Sequence, residues 1–131
     1  MKGFIPKFYR DGQPDGYLYL PAVGERHIGQ ALACEGGVLV AAGPASDVRY
    51  ISMYEGTAKD GDVIPVIAVD CSTEYEVVLE AAVDGLVPGV VCDIASGGMG
   101  IGGVAADGDG ALRVISCTGA AIGDTAVVQF I

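Results

Sequence analysis

The stretch Arg113–Ile131, RVISCTGAAIGDTAVVQFI, decides how the chain reads, because an approximate copy precedes it at Arg49–Val69, RYISMYEGTAKDGDVIPVIAV. Each copy holds Arg-x-Ile-Ser, a run of small and polar residues, a Gly-Asp pair and a closing apolar run. In the first these are Arg49, Ile51, Ser52, Gly61, Asp62 and Val63–Val69; in the second, Arg113, Ile115, Ser116, Gly123, Asp124 and Thr125–Ile131. The spacings differ by two residues, which falls in a connection where extra length costs little. Upstream, Gly36-Gly37-Val38 is echoed by Gly97-Gly98-Met99. Two related strand-turn-strand units are expected, over residues 28–69 and 87–131.

The segments around these copies also read as strands. IGQALACEGGVLVAA, residues 28–42, has two apolar runs split by Glu35-Gly36-Gly37. Two central glycines, at about 1 kcal/mol each, argue against a helix and for a hairpin. Val48–Tyr54 and Val63–Val69 follow as strands on either side of the polar turn Thr57–Asp62. Pro65 within the second implies an edge or a bulge. The alternation in EYEVVLEAA, residues 74–82, and its Val77-Val78 pair favour strand over helix. Val90–Ile94 is another strand, and a hairpin with its turn at Asp107–Gly110 leads to the last copy. Short strands with a turn roughly every eight to twelve residues predict an all-β fold, a small antiparallel barrel or sandwich.

Residues 1–23 differ in character. They carry Pro6, Pro14 and Pro21 with Phe4, Phe8, Tyr9, Tyr17 and Tyr19. The expectation is an extended N-terminal arm with an edge strand at Gly16–Leu20, followed by a single β-domain over 24–131. The first ten residues hold Lys2, Lys7 and Arg10 and no acid. The chain as a whole has seventeen acids, seven bases and a net charge of −10, so the rest carries four bases and a net of −13. Such a body repels nucleic acid and stays soluble at high concentration. The arm's Lys2, Lys7, Phe8, Tyr9 and Arg10 are the candidate partner-binding residues, since aromatic and Arg side chains carry much of the energy of interfaces.

At 131 residues the chain is long enough to bury one core without staples. No run approaches the roughly twenty apolar residues of a membrane helix, and no secretory signal pattern opens the sequence. Cys34, Cys71, Cys92 and Cys117 never form a C-x-x-C pair, and they read as reduced, mostly buried thiols. His27, the single histidine, has no cysteine at ligand spacing and reads as a polar surface or turn residue.

Motifs that would carry chemistry are weak. Gly98-x-Gly100-x-x-Gly103 matches a dinucleotide fingerprint in letters, but the Asp-Gly pairs that follow cannot start the helix the motif needs. Asp107-Gly108-Asp109-Gly110 resembles the start of a calcium loop, yet its twelfth position is Thr118 instead of a bidentate glutamate, and a hairpin turn explains it better. No carboxylate pair stands out, and the cysteines sit in apolar runs unsuited to an activated thiolate. The reading is therefore non-enzymatic, with no catalytic residues, cofactor or metal expected.

The hairpin GQALACEGGVLVAA, the centre GDVIPVIAVDCSTEYEVVL, the continuation DGLVPGVVCDI and the close GAAIGDTAVVQFI together resemble the capsid decoration (cement, head-stabilising) proteins of tailed bacteriophages. The likeness covers about residues 28–131. It implies a compact β-fold that binds the outer face of the mature head, contacts the major capsid protein, forms homotrimers, is made in the bacterial cytoplasm and ends up on the virion surface. It supplies no catalytic residues. A different reading of the same features is a β-module of a tail, fibre or surface assembly that binds a protein or carbohydrate ligand. Binding to expanded shells separates the two.

Overall fold

The structure, a computed structural model, describes residues 3–9, 17–44, 47–105 and 109–131; of Phe8 and Tyr9 it describes the backbone alone. The protein is all-β, and no helix occurs among the described residues. One sheet has six strands. Its order is β1 (Ile5–Tyr9), β9 (Thr73–Val78), β13 (Thr125–Phe130), β12 (Leu112–Cys117), β10 (Val91–Ile94) and β11 (Ile101–Val104). A second has five, in the order β2 (Leu18–Pro21), β8 (Val63–Ala68), β6 (Tyr50–Ser52), β4 (Ala31–Glu35) and β5 (Val38–Ala41). A two-stranded ribbon joins β3 (Gly24–Arg26) to β7 (Gly56–Ala58). All the strand pairs are antiparallel.

The period-2 pattern of each strand sets which side chains are buried. In β9, Thr73, Tyr75 and Val77 point inward, and Glu74, Glu76 and Val78 alternate away. In β13 the inward set is Ala126, Val128 and Phe130. The five-stranded sheet contributes buried side chains from both of its faces. Leu32, Leu39, Ile64 and Val66 form a small core inside its curl. Ala31, Ala33, Ile51 and Ile67, from the opposite face, join the main core with Tyr75, Val77, Leu112, Val128 and Phe130 of the six-stranded sheet. The result is a sandwich. The five-stranded sheet curls until β2 and β5 meet in one parallel bridge, Ala22 with Leu39, and does not close into a barrel.

The two sheets share a topology. Leaving β1 aside, the six-stranded sheet runs β9-β13-β12-β10-β11, and the five-stranded sheet runs β2-β8-β6-β4-β5. In chain order both are first, fifth, fourth, second, third. The correspondence extends to single hydrogen bonds. Ala22 N–H donates to the Asp62 carbonyl at 3.1 Å, and Leu79 N–H donates to that of Asp124 at 2.8 Å. Val69 N–H reaches the Arg49 carbonyl, and Ile131 N–H reaches that of Ala111, both at 2.9 Å.

The Gly-Asp pairs occupy matching turns. In Lys59–Asp62 the Asp62 N–H donates to the Lys59 carbonyl at 2.9 Å, and the Asp62 carboxylate accepts from Lys59 N–H at 2.7 Å. Ala121–Asp124 repeats both bonds at 3.0 Å. Gly61 and Gly123 hold φ of 91° and 89°, the third-position geometry of a type II turn, which glycine adopts without steric cost. The Arg-x-Ile-Ser letters, in contrast, occupy non-equivalent rungs. Tyr50 pairs with Ala68, and Leu112 pairs with Phe130, so Arg113 stands where Ile51 does and Arg49 matches Ala111.

Several expectations meet the structure directly. Residues 28–42 form the β4–β5 hairpin, with Gly36 and Gly37 both at positive φ (59° and 82°) in its two-residue loop. Residues 74–78 of the 74–82 segment are strand, in β9, which begins one residue earlier at Thr73. The edge strand expected at Gly16–Leu20 is β2, displaced to Leu18–Pro21. Two expectations are corrected. Pro65 lies in β8, between β2 and β6, and not at an edge. Its carbonyl accepts from Met53 N–H at 2.9 Å, so its nitrogen also faces Met53, one residue beyond the end of β6, where the ladder needs no further donor. Residues 101–117 do not form a hairpin: β11 and β12 lie on opposite edges of β10. Asp107 and Gly108 of the expected turn lie outside the described residues.

Candidate interaction surface

The N-terminal segment is built into the six-stranded sheet. β1 pairs with the outer edge of β9 through Ile5–Glu76, Pro6–Tyr75, Phe8–Glu74 and Tyr9–Thr73, with a register shift between Pro6 and Phe8. Proline suits this edge position because no further strand needs its N–H. Phe4, immediately before β1, is fully buried, and its N–H donates to the Gly29 carbonyl at 2.7 Å. Its ring lies 5.2 Å from that of Phe130, which meets Tyr75 edge-on at 5.1 Å.

Of the five candidate partner-binding residues, Lys7 is described in full. Its Nζ donates to the Glu76 carboxylate at 2.9 Å, with both side chains about half exposed. Phe8 and Tyr9 are placed on β1 by their backbones, and Lys2 and Arg10 lie outside the described residues.

A second surface lies along β2 and β8. Tyr17 and Tyr19 are 56% and 63% exposed, and Val63 is 55% exposed. Tyr19 stands opposite Pro65 and Pro21 opposite Val63, so the alternate residues of two neighbouring strands place this apolar strip on one face of the sheet. Leu20, Ile64 and Val66 point to the other face, into the small core. The sequence names Tyr17 and Tyr19 as part of an aromatic arm. The part played by Val63 and Pro65 requires the β2–β8 register, which the sequence does not supply.

The polar knot at the ribbon is compact. The His27 ring lies between two carboxylates, with Nδ1 2.5 Å from Glu55 and Nε2 3.3 Å from Glu25. Glu55 also accepts from Ile28 N–H at 3.3 Å. The hydrogen bond from His27, and then the one from Ile28, hold its carboxyl below the usual carboxylate range. Arg26 is buried, and its Nε has no partner among the described residues. Burial pulls its guanidinium below its ordinary pKa, against the opposing field of Glu25. Gln30 accepts weakly from Arg26 at 3.5 Å and donates to the Gly97 carbonyl at 2.8 Å, tying the ribbon to the loop before β11.

No protein-family model matches the chain, and no curated protein or solved structure matches it either.

Gly98 and Gly100 lie in the loop before β11, and Gly103 is in that strand. Among the described residues no group of three His, Cys, Asp or Glu side chains could hold a metal. All four cysteines are free, but the expectation that most are buried is corrected: Cys34 and Cys71 are exposed, Cys117 is half-buried and only Cys92 is buried. Cys34 falls at the end of β4, beside the hairpin tip, and Cys71 lies on the turn before β9, so neither reaches a core face. Burial, with the Asp93 carboxylate beside it, pushes the Cys92 thiol up to about 11. An open groove of about 750 Å³ runs between matching segments of the two sheets, from Arg49, Tyr50 and Val69 to Ala111, Phe130 and Ile131.

Proposed function

We propose that this protein is a non-enzymatic decoration protein of a tailed-phage head, binding the outer face of the mature shell through contacts with the major capsid protein. The observation that carries the reading is the apolar strip of Tyr17, Tyr19, Val63 and Pro65 on an otherwise acidic body. Exposed aromatic residues of this kind make good protein-binding anchors. The basic residues of the first ten, with Lys7 held against Glu76, add a positive end to a chain of net charge −10. The span 28–131, from which the likeness to capsid decoration proteins is drawn, supplies every strand of the two large sheets except β1 and β2.

A protein that binds only the expanded shell stabilises that state by mass action. A homotrimer would multiply weak contacts on each subunit into durable attachment. The experiment mixes the purified chain with expanded and unexpanded shells assembled from the proposed partner, a tailed-phage major capsid protein. Saturable co-sedimentation with expanded shells alone is the expected result, and failure to bind either form would overturn the proposal. Sedimentation velocity of the free chain tests the trimer, which should run at three times the 13.3 kDa protomer mass.

A further inference from the structure

We infer that the outer edge of β2, at Tyr17–Tyr19, is an acceptor for an extended, uncharged apolar segment of the shell subunit, added as an antiparallel strand. The inference rests on the shell-binding reading above and names the contact.

The duplicated topology supplies the template. Val63 and Thr125 begin matching strands, and their partners are Pro21 and Val78. Stepping back along both strands matches Tyr19 with Glu76, Leu18 with Tyr75 and Tyr17 with Glu74. In the six-stranded sheet these positions of β9 carry an added strand: β1 pairs antiparallel with Glu76, Tyr75 and Glu74. Among the described residues no strand is hydrogen-bonded to the same positions of the five-stranded sheet; farther along, β2 approaches β5, and Ala22 bridges Leu39.

The backbone of that edge is oriented to pair. Ala22 N–H points towards β8, where it donates to Asp62. Alternation then turns the N–H and C=O of Leu20 and Leu18 towards β8, and those of Tyr19 and Tyr17 outward. An added strand would find a donor and an acceptor at each tyrosine, the main-chain recognition used in β-augmentation.

The side chains select the occupant. Where β9 presents Glu74 and Glu76, and Lys7 of β1 answers Glu76, β2 presents exposed Tyr17 and Tyr19. Tyr17, Leu18 and Tyr19 carry no charge that calls for a charged partner, and the rings gain by being covered with apolar side chains. A second copy is the competing occupant, and protection of residues 17–20 in the free chain would reveal it.

The test uses the full chain and expanded shells, with two variants at one position. Tyr19→Ala removes the ring and keeps the amide. Tyr19→Pro removes both, and it should fold because that N–H points away from β8 and Pro21 already occupies the same outward parity. Circular dichroism and thermal melts confirm that both variants retain the fold. Tyr19→Pro should bind shells about tenfold more weakly than Tyr19→Ala, the cost of one lost main-chain hydrogen bond. Amide exchange over residues 17–20 should slow on the shell. If wild type binds shells while both variants bind equally and residues 17–20 stay unprotected, the edge inference fails and the shell reading stands. If wild type binds no shell, both fail. If the free chain self-associates with protection of residues 17–20, the edge belongs to a second copy and the inference is overturned.

Discussion

Replacing Phe4 with Ala measures how firmly the N-terminal segment belongs to the body. The Phe4 ring is fully buried, tilted 57° to Phe130 at 5.2 Å, and Phe130 is held in turn by Tyr75. Truncating a buried Phe costs about 3–5 kcal/mol from lost transfer energy and residual cavity. The aromatic contact accounts for roughly 0.5–1.5 kcal/mol of this kind of loss. One consideration sets the value near the lower end. Phe4 precedes an edge strand, so the chain can release residues 3–9 as a unit when the cavity becomes too costly. We expect a loss of about 3 kcal/mol, or a drop in Tm of roughly 9–15 °C for a domain of this size. Urea denaturation followed by circular dichroism gives the stability. The urea slope shows whether the segment has come away, since a smaller slope means less surface left to expose. Tyr19→Ala is the control, because that ring is already 63% exposed and its removal should cost no more than about 0.5 kcal/mol. A Phe4→Ala loss below about 1 kcal/mol would refute the placement of Phe4 as the anchor that docks β1.

Three further outcomes follow from local geometry. Gly98→Ala should destabilise by at least about 2 kcal/mol, because φ is 77° and a Cβ would lie 2.4 Å from the Ala31 carbonyl oxygen; Gly61→Ala, with φ of 91° and open space around it, should cost only about 1 kcal/mol. Thermal melts rank the pair. In native protein, Cys34 and Cys71 should react with an aromatic disulfide reagent, while Cys92, buried with its thiol at about 11, should react only on unfolding; mass spectrometry of labelled peptides reads the order. Glu55 and Asp70 both titrate below their ordinary values, the first through His27 and Ile28, the second through the backbone and hydroxyl of Ser72. Depressed carboxyl pKa values contribute stability that is in full force above the ordinary 4.5 and 3.8 and is lost as pH falls through the folded values, so the urea midpoint should drop below about pH 4.5 and Glu55→Gln should flatten that drop.

Strand identity was readable because it is a local property. Thr73–Val78 alternates inside and outside as its letters do, and the two glycines of Glu35-Gly36-Gly37-Val38 could only turn the chain. The Gly-Asp turns were readable for the same reason, since each is closed by bonds within four residues. Pairing was not readable. Val91–Ile94 lies between Ile101–Val104 and Leu112–Cys117, although the latter two look in sequence like a hairpin, because the choice of neighbour depends on contacts across the sheet. Register failed at Arg-x-Ile-Ser because the chain is equally long, thirteen residues, from the matching rungs Tyr50 and Leu112 to the matching strand starts Val63 and Thr125, so letters whose spacing to those strands differs by two fall on different rungs. The apolar strip was half visible, as Tyr17 and Tyr19, and completed only when β8 brought Val63 and Pro65 alongside.

Two sheets of one topology differ at one edge, and position-by-position comparison shows how. At the edge of β9, Glu74 and Glu76 lie beside an added strand that brings its own Lys7 and anchors itself through Phe4 in the main core. That edge is occupied, so it cannot template further pairing. At the matching edge of β2 the charges are replaced by Tyr17 and Tyr19, and no strand among the described residues pairs with them there; an edge of this composition would ordinarily invite self-pairing. The surplus acid counters it. With a net charge of −10, two copies repel as they come within about a Debye length, roughly 8 Å at physiological salt. A neutral extended segment meets no such barrier. On the shell-binding reading the tyrosines are left for a foreign strand, and a trimer of this chain would form through other surfaces.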